Sequence, residues 1–316
     1  MSDTRVLVYH PKLAEHYANL LKTKGDSSLK ISVCRNRSEA RQVVPEADIL
    51  FASVSFPAEL LRHADELKWV QVMGAGVERL ALSPDLPKEI LMSRVIGSFG
   101  PRMAEYAVAH MLNITQKIPH AIKLQEAGKW EPYNPGVLAG QTVGIAGAGA
   151  IGMSVAQKSH ALDMRVNIMD ISPRESPHIH QYYGPDQRSE FLRSVDFLVL
   201  AMPLTDKTRN YFDREAFSEI NPDAWLINMA RGQLVVERDL IEALRNKQLA
   251  GAVLDVFREE PLPATSPLWS MENVLVTPHI AGHALPDEVM TVFWENLDRY
   301  RKGEPLVNSV DLEKQF

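Results

Sequence analysis

The sequence predicts an α/β protein made of two doubly wound parallel-sheet domains, one inserted in the other. Three observations carry this prediction. Short β-branched and apolar runs alternate with amphipathic helical patterns, the sign of strands joined by crossover helices. The alternation is interrupted between Gly97 and Gly140, then restarts as a longer series. The chain has 316 residues, more than one hydrophobic core usually holds, since cores stop growing at about 250–300 residues.

In the first series Val6–Tyr9, Ile31–Cys34, Ile49–Ala52, Trp69–Val72 and Ile90–Met92 read as strands, with helical stretches at Leu13–Lys24 and Ser38–Val44. A break follows at Gly97–Gly100. Pro101 then suits the first turn of a helix, because the missing N–H has no partner there in any case. Met103, Ala107, Met111 and Ile114 recur at helical spacing, and a Gly/Pro-rich loop runs from Gly128 to Gly140. The second series has expected strands at Thr142–Ala146, Arg165–Met169, Phe197–Ala201, Trp225–Asn228, Gly251–Leu254 and Val274–Thr277. Several are apolar throughout, as when helices cover both faces of a parallel sheet. After Pro286 a last helix places Val289, Phe293, Leu297 and Tyr300 on one face, followed by an extended tail, Glu304–Asp311. This helix is expected to return to the first domain. The domains are therefore expected at residues 1–98 with 286–316, and at 99–285, with a cleft at the double crossing. Trp69 and Trp225 read as strand core, and Met103 and Met111 as helix-packing residues.

Composition narrows the function. Hydrophobic residues at 45% and charged residues at 23% exclude a disordered or fibrous chain. Lys and Arg number 34 against 40 Asp and Glu, a net charge of −6, which argues against general nucleic-acid binding. The single Cys34 has no intrachain partner, so a reducing compartment suits it. The start reads as a buried strand, with no basic stretch leading into an apolar signal core. The longest apolar run, Phe197–Met202, falls far short of a membrane span, which needs about 20 residues. The expectation is a cytoplasmic protein with no membrane or nucleic-acid partner.

The most informative stretch is Thr142 to Gly152, an apolar strand running into Gly147-x-Gly149-x-x-Gly152 with a helical pattern after it. Gly147 permits a tight turn, Gly149 lets the backbone approach a pyrophosphate, and Gly152 lets the helix pack closely on the strand. The helix N-terminus offers N–H groups to phosphates. Asp170 ends the next strand, 18 residues past Gly152, where an acid accepts hydrogen bonds from the adenosine ribose hydroxyls. A carboxylate there repels the additional phosphate of NADP, which favours NAD. Ser172 and Arg174 follow closely and keep NADP possible.

Three further stretches stand in order: Asn228-Met229-Ala230-Arg231-Gly232, then Leu254-Asp255 through Glu260-Pro261-Leu262-Pro263, then Thr277-Pro278-His279-Ile280-Ala281-Gly282. With the glycine fingerprint, they resemble the D-isomer-specific 2-hydroxyacid dehydrogenase family, over almost the whole chain from about Trp69 to Asp311. Gly74-Ala75-Gly76-Val77 and the ending Glu-Pro-Leu-Val-Asn are also similar to that family, and Pro261–Trp269 resembles its glyoxylate and hydroxypyruvate reductase branch. The resemblance implies a Rossmann dinucleotide-binding domain inserted in a flavodoxin-like substrate domain. It also implies a reaction between a small 2-oxo acid and a D-2-hydroxy acid, and a homodimer.

The family's roles carry over residue by residue. Arg231 would hold the substrate carboxylate, His279 would give the proton, and Glu260 would support His279. The backbone at Ala75 and Gly76 would face the carboxylate. Gly147, Gly149, Ala150, Ile151, Gly152 and Asp170 would hold the dinucleotide. Pro203 would pass beside the adenine, with Thr208 in the same loop. Ala230, Asp255, His279 and the backbone near Gly282 would lie at the nicotinamide end. Met229 stands where the family often has Thr, and Met73 where it often has a polar residue, so the pocket's shape departs from the common pattern.

The residue types suit this chemistry. Arginine presents a planar, always charged fork that matches a carboxylate. Histidine titrates near working pH. Spacing alone leaves Arg231 open between an anchor and a surface residue of a tight turn. It leaves His279 open between an acid and a core histidine, and Glu260 between a partner and a solvated acid beside Glu259. His178-x-His180 lies in a Pro-rich loop with no further ligand pattern, so no metal is assigned. Phosphoglycerate dehydrogenase shares the motifs but would want a basic phosphate subsite. Formate dehydrogenase would pair its histidine with a glutamine. A dinucleotide-sensing corepressor would retain the same triad, and the lack of disordered tails favours an enzyme over it.

Overall fold

The computed structural model describes residues 3–87, 89–96, 99–282 and 284–312. The chain divides into two compact units, Met1–Ser98 with Ala284–Phe316, and Phe99–His283. The second crossing thus falls two residues before the expected one. Gly97, Ser98 and His283, at or near the two expected crossings, lie outside the described residues.

The first unit holds a parallel sheet of β1 (Thr4–Tyr9), β2 (Leu29–Cys34), β3 (Ile49–Ala52), β4 (Trp69–Val72) and β5 (Leu91–Ser93), in the order β2-β1-β3-β4-β5. That is the flavodoxin-like order. Every residue of β3 and β4 is buried, which explains why their sequences lack polar alternation. The C-terminal helix Pro286–Lys302 belongs to this unit. Its Phe293 ring lies 4.4 Å from Phe51 and 5.4 Å from Trp69, and Tyr300 stacks on Trp69 at 5.6 Å. Buried Asn296 donates to Gln71 Oε1 (3.0 Å) and the Val307 carbonyl (3.1 Å), and accepts from the Val307 N–H (2.7 Å). Those bonds turn the tail back to the sheet, where Ser309 bridges Ser93.

The second unit holds β6 (Thr142–Ala146), β7 (Arg165–Met169), β8 (Gln181–Tyr183), β9 (Phe197–Leu200), β10 (Trp225–Asn228), β11 (Gly251–Leu254) and β12 (Val274–Val276). The order is β12-β11-β10-β9-β6-β7-β8, all parallel. This is the doubly wound Rossmann arrangement, with the direction of winding reversing between β6 and β9. Ligands bind at the carboxyl ends of the strands at such a reversal.

Three local features differ from the expectation. β8 is not visible in the sequence, because its three residues carry too little pattern; pairing with β7 creates it. The helix Phe99–Thr115 is followed by Lys117 in the left-handed conformation (φ 53°) and then by a second helix, Ile118–Glu126. Trp225 is only partly buried. It opens β10, and its indole lies over Gly251 of the neighbouring strand, where an added Cβ would come within 2.4 Å of the ring. Met103 and Met111 are buried as expected of packing residues.

Candidate active site

The glycine loop follows from the strand before it. β6 is wholly buried, and the chain must leave it sharply to start the helix Ala150–His160. Gly147 makes the turn at φ 108°, a left-handed conformation that L side chains avoid. At Gly152 a Cβ would lie 1.9 Å from the Gly147 carbonyl oxygen, so only glycine lets helix and turn meet. At Gly149, by contrast, an added Cβ would meet nothing within 4 Å. The exposed face formed by Gly149 and Ala150, at the start of the helix, fits a pyrophosphate held by N–H groups.

Asp170 stands at the end of β7, beside that loop. Its carboxylate accepts the Ala148 N–H at 2.5 Å and the Ser172 N–H at 3.2 Å, while the Tyr182 hydroxyl donates to its carbonyl. β8 thus helps to fix the acid that the sequence singled out. After β9, the Thr208 hydroxyl donates to the Pro203 carbonyl (2.7 Å) and accepts the Thr205 N–H (2.8 Å). Thr208 therefore closes its own loop.

Adjacent strands β10, β11 and β12 carry the remaining candidates at their carboxyl ends. Beyond β10, Asn228 Oδ1 accepts the Ala230 N–H (3.2 Å) and Asn228 Nδ2 donates to the Arg231 carbonyl (3.1 Å). These bonds fold the turn that carries Arg231, whose guanidinium donates to the Ala230 carbonyl at 2.6 Å. Gly232 lets the turn pack against the Phe257 backbone, where a Cβ would come within 2.0 Å of the carbonyl carbon. The turn-forming role of Asn228 has no separate signal in the sequence.

Glu260 and His279 meet. His279 Nδ1 lies 2.7 Å from Glu260 Oε2, while Glu260 Oε1 accepts the Phe257 N–H at 2.9 Å. The histidine side chain is 47% exposed and the glutamate 36%, so the pair faces outward from the unit. The hydrogen bond to Glu260 raises the His279 pKa, against burial, and the Glu260 and Asp255 charges add to the rise while the Arg231 charge opposes it. For Glu260 burial works upward, but the bonds from His279 and the Phe257 N–H, with the nearby Arg231 charge, outweigh it and hold the carboxyl below its ordinary value. Both groups feel Arg231, so the fold gathers all three.

His279 has φ 55°, rare for a residue with a side chain, and such a conformation persists only where neighbours over-determine it. Asp255 does so. Its carbonyl accepts the His279 N–H (2.9 Å), and its carboxylate accepts the Ile280 and Ala281 N–H groups (2.8 and 2.9 Å). The Thr277 hydroxyl adds a fourth bond, to Oδ1 at 2.6 Å. Asp255 is buried, and its carboxylate is largely committed to the His279 turn. An expected contact with a carboxamide has only its remaining lone pair to use.

In the other unit, Ala75 and Gly76 follow β4, and Arg94 Nη1 donates to the Ala75 carbonyl at 3.3 Å. Among the described residues, no group of three His, Cys, Asp or Glu side chains gathers to hold a metal ion, and no helix is long and apolar enough to cross a membrane.

A Rossmann sheet whose first turn is a glycine loop with an open outer face defines a dinucleotide-binding α/β protein. Residues 108–281 match the family model of the D-isomer specific 2-hydroxyacid dehydrogenase, NAD binding domain. Glyoxylate/hydroxypyruvate reductase A of Serratia proteamaculans (strain 568) is 35% identical over 262 residues, covering 81% of this chain and 84% of that protein. A crystal structure of a D-isomer specific 2-hydroxyacid dehydrogenase family protein from Aeromonas salmonicida subsp. salmonicida A449 superposes with a TM-score of 0.90 at 34% identity, covering 99% of this chain and all of the other (100%). The NADPH-dependent glyoxylate/hydroxypyruvate reductase of Sinorhizobium meliloti, solved with NADP and sulfate, gives 0.88 at 27% identity, with coverage of 99% and 100%. The chain belongs to the D-isomer specific 2-hydroxyacid dehydrogenase family. It is accordingly an NAD(P)-dependent oxidoreductase interconverting 2-oxo and 2-hydroxy acids.

Proposed function

We propose that the chain reduces a small 2-oxo acid of the glyoxylate or hydroxypyruvate kind to the corresponding 2-hydroxy acid, the D isomer where the product is chiral, with NADH as the preferred reductant. The observation that carries this is the 2.7 Å pair of His279 and Glu260 beside Arg231. The bound dihydronicotinamide would supply the hydride to the carbonyl carbon. Arg231 binds the substrate carboxylate and polarises the carbonyl. The His279 Nδ1–H is committed to Glu260, so Nε2 carries the proton that passes to the carbonyl oxygen. The product is the hydroxy acid, with one hydride and one proton added across the C=O bond. Glu260 holds the ring's orientation and favours the imidazolium before transfer.

The NADH preference rests on Asp170, whose carboxylate is tied to the glycine loop where an adenosine 2′-phosphate would add charge. The structural relatives with NADPH or NADP in their complexes bind the phosphorylated cofactor. This chain is expected to differ, with kcat/KM higher for NADH, and Asp170→Ser is expected to narrow the gap, on the order of tenfold if about 1.4 kcal/mol of repulsion is removed. A native preference for NADPH would reject the assignment and point to Ser172 and Arg174. The substrate is tested by steady-state reduction of a panel of 2-oxo acids with NADH. Turnover of none, with NADH still bound, would reject this substrate assignment. The chain is further proposed to act in the cytoplasm as a homodimer, which sedimentation equilibrium checks.

A further inference from the structure

The three bonds from Asp255 explain how the His279 turn is held, but not what holds Asp255 in its rotamer. Its carboxylate Oδ1 accepts from Thr277 Oγ1 at 2.6 Å, and Thr277 Oγ1 lies 2.7 Å from the Tyr106 hydroxyl. A threonine hydroxyl has one proton. An ionised carboxylate only accepts, so that proton goes to Asp255, and Tyr106 must donate to Thr277. The donors therefore converge on Asp255: Tyr106 donates to Thr277 and Thr277 to the carboxylate, which also accepts the Ile280 and Ala281 N–H groups of the His279 turn.

Tyr106 is well placed to anchor such a relay. It lies on the 17-residue helix Phe99–Thr115, a long element of the same unit. Its ring packs edge-on against His110, with centroids 4.4 Å apart. Burial pushes the phenol pKa up, so the hydroxyl remains a donor throughout the working pH range. Burial also lowers the His110 pKa, which keeps that neighbour neutral.

We infer that Tyr106 and Thr277 are positioning residues for the reaction: they lock the Asp255 carboxylate, and through it the left-handed turn that aims His279 at Glu260. Neither residue touches the reacting atoms. The inference rests on the proposed role of His279 as proton donor, and it adds a part of the chain, the helix at Tyr106, that none of the sequence motifs includes. The charged groups that act on His279 are Glu260, Asp255 and Arg231. A looser turn weakens the contact with Glu260, the 2.7 Å bond that the imidazole itself makes. The imidazolium then loses support.

The test uses the full chain with Tyr106→Phe, Thr277→Val, the double variant and Thr277→Ser. The His279 imidazole pKa is read by nuclear magnetic resonance in the cofactor-free protein, and kcat for reduction and the Kd for NADH are measured beside it. The Phe and Val variants are each expected to lower the imidazole pKa and to reduce kcat about fivefold, the usual net worth of one hydrogen bond. NADH affinity should remain unchanged. The double variant should be no worse than the poorer single one, because the bonds act in series, and Thr277→Ser should restore both readouts. An unmoved imidazole pKa in Tyr106→Phe, or losses that multiply in the double variant, would overturn the relay; a global loss of stability would lower the melting temperature without a selective pKa change. If Thr277→Val does not fold, Tyr106→Phe, which keeps the ring, and Thr277→Ser still decide. His279→Gln is assayed alongside. Wild-type turnover in that variant would remove His279 as the acid, whereas the imidazole pKa in Tyr106→Phe judges the relay independently.

Discussion

The short bond between His279 Nδ1 and Glu260 Oε2 ties the proton affinity of the imidazole to a carboxylate charge. The sign of the resulting pH dependence follows directly. With His279 as the proposed proton donor, reduction would need the imidazolium, and Glu260 raises the pKa at which it is lost, so reductive turnover should fall as pH rises through that raised value. Oxidation needs the neutral ring and should rise over the same range. Glu260→Gln keeps the shape but removes the charge, and its reductive profile should move to lower pH. An unchanged profile would uncouple the pair. His279→Ala should lose roughly 10²- to 10⁴-fold in turnover, the usual contribution of a positioned general acid. At Arg231 the expected loss is of substrate handling: Arg231→Ala should lower kcat/KM by about 10- to 100-fold, as for a charge-assisted hydrogen bond of 1.5–3 kcal/mol, while NADH binding persists. Arg231→Lys should rescue poorly, because an ammonium lacks the planar fork. Near-native kcat/KM in the Ala variant would remove Arg231 from the site.

Among the elements, the strand–turn–helix of the glycine loop is the most tightly specified. A Cβ at Gly152 would overlap the Gly147 carbonyl oxygen, which is backbone and has nowhere flexible to go. Gly152→Ala should therefore distort the turn by forcing helix and strand apart, at a cost of about 1–3 kcal/mol as for other overpacked sites. NADH titration by fluorescence should show affinity weakened accordingly, and unaltered affinity would mean that the helix start does not form the binding surface. This element was legible because its chemistry is local: strand, glycines and helix are contiguous. The same holds for the buried strands, whose unbroken apolar runs identify them. β8 was not legible, since its three residues become a strand only by pairing with β7. Nor was the second helix, Ile118–Glu126, which begins at a left-handed lysine that no sequence pattern marks.

For the whole molecule, each unit has its own hydrophobic core, one around β1 to β5 and the other around β6 to β12. A ligand that binds only the folded state stabilises it by RT ln(1 + [L]/Kd), about 2.7 kcal/mol at a hundredfold excess over Kd. Saturating NADH should thus raise the melting temperature. In hydrogen exchange the added protection should centre on Gly147–Gly152, Asp170 and the Pro203–Thr208 loop. Protection confined to β1–β5 instead would contradict the assignment of the dinucleotide site.

Sequence by itself determined the parallel α/β class, the glycine loop, the acid that ends β7 and the family motifs, because each depends on residues close together along the chain. It named Arg231, Glu260 and His279 but could not bring them together, since hydrogen-bond contact between residues 19 apart, Glu260 and His279, depends on the neighbouring order of β11 and β12. Tertiary structure alone decided that contact. It also decided that Asp255 is committed to the His279 turn, and that a tyrosine 171 residues before Thr277 stands behind it. The reason is physical: spacing encodes which faces of a strand or helix are apolar, whereas the partner of a buried polar group is chosen only when packing removes water and every remaining donor must find an acceptor.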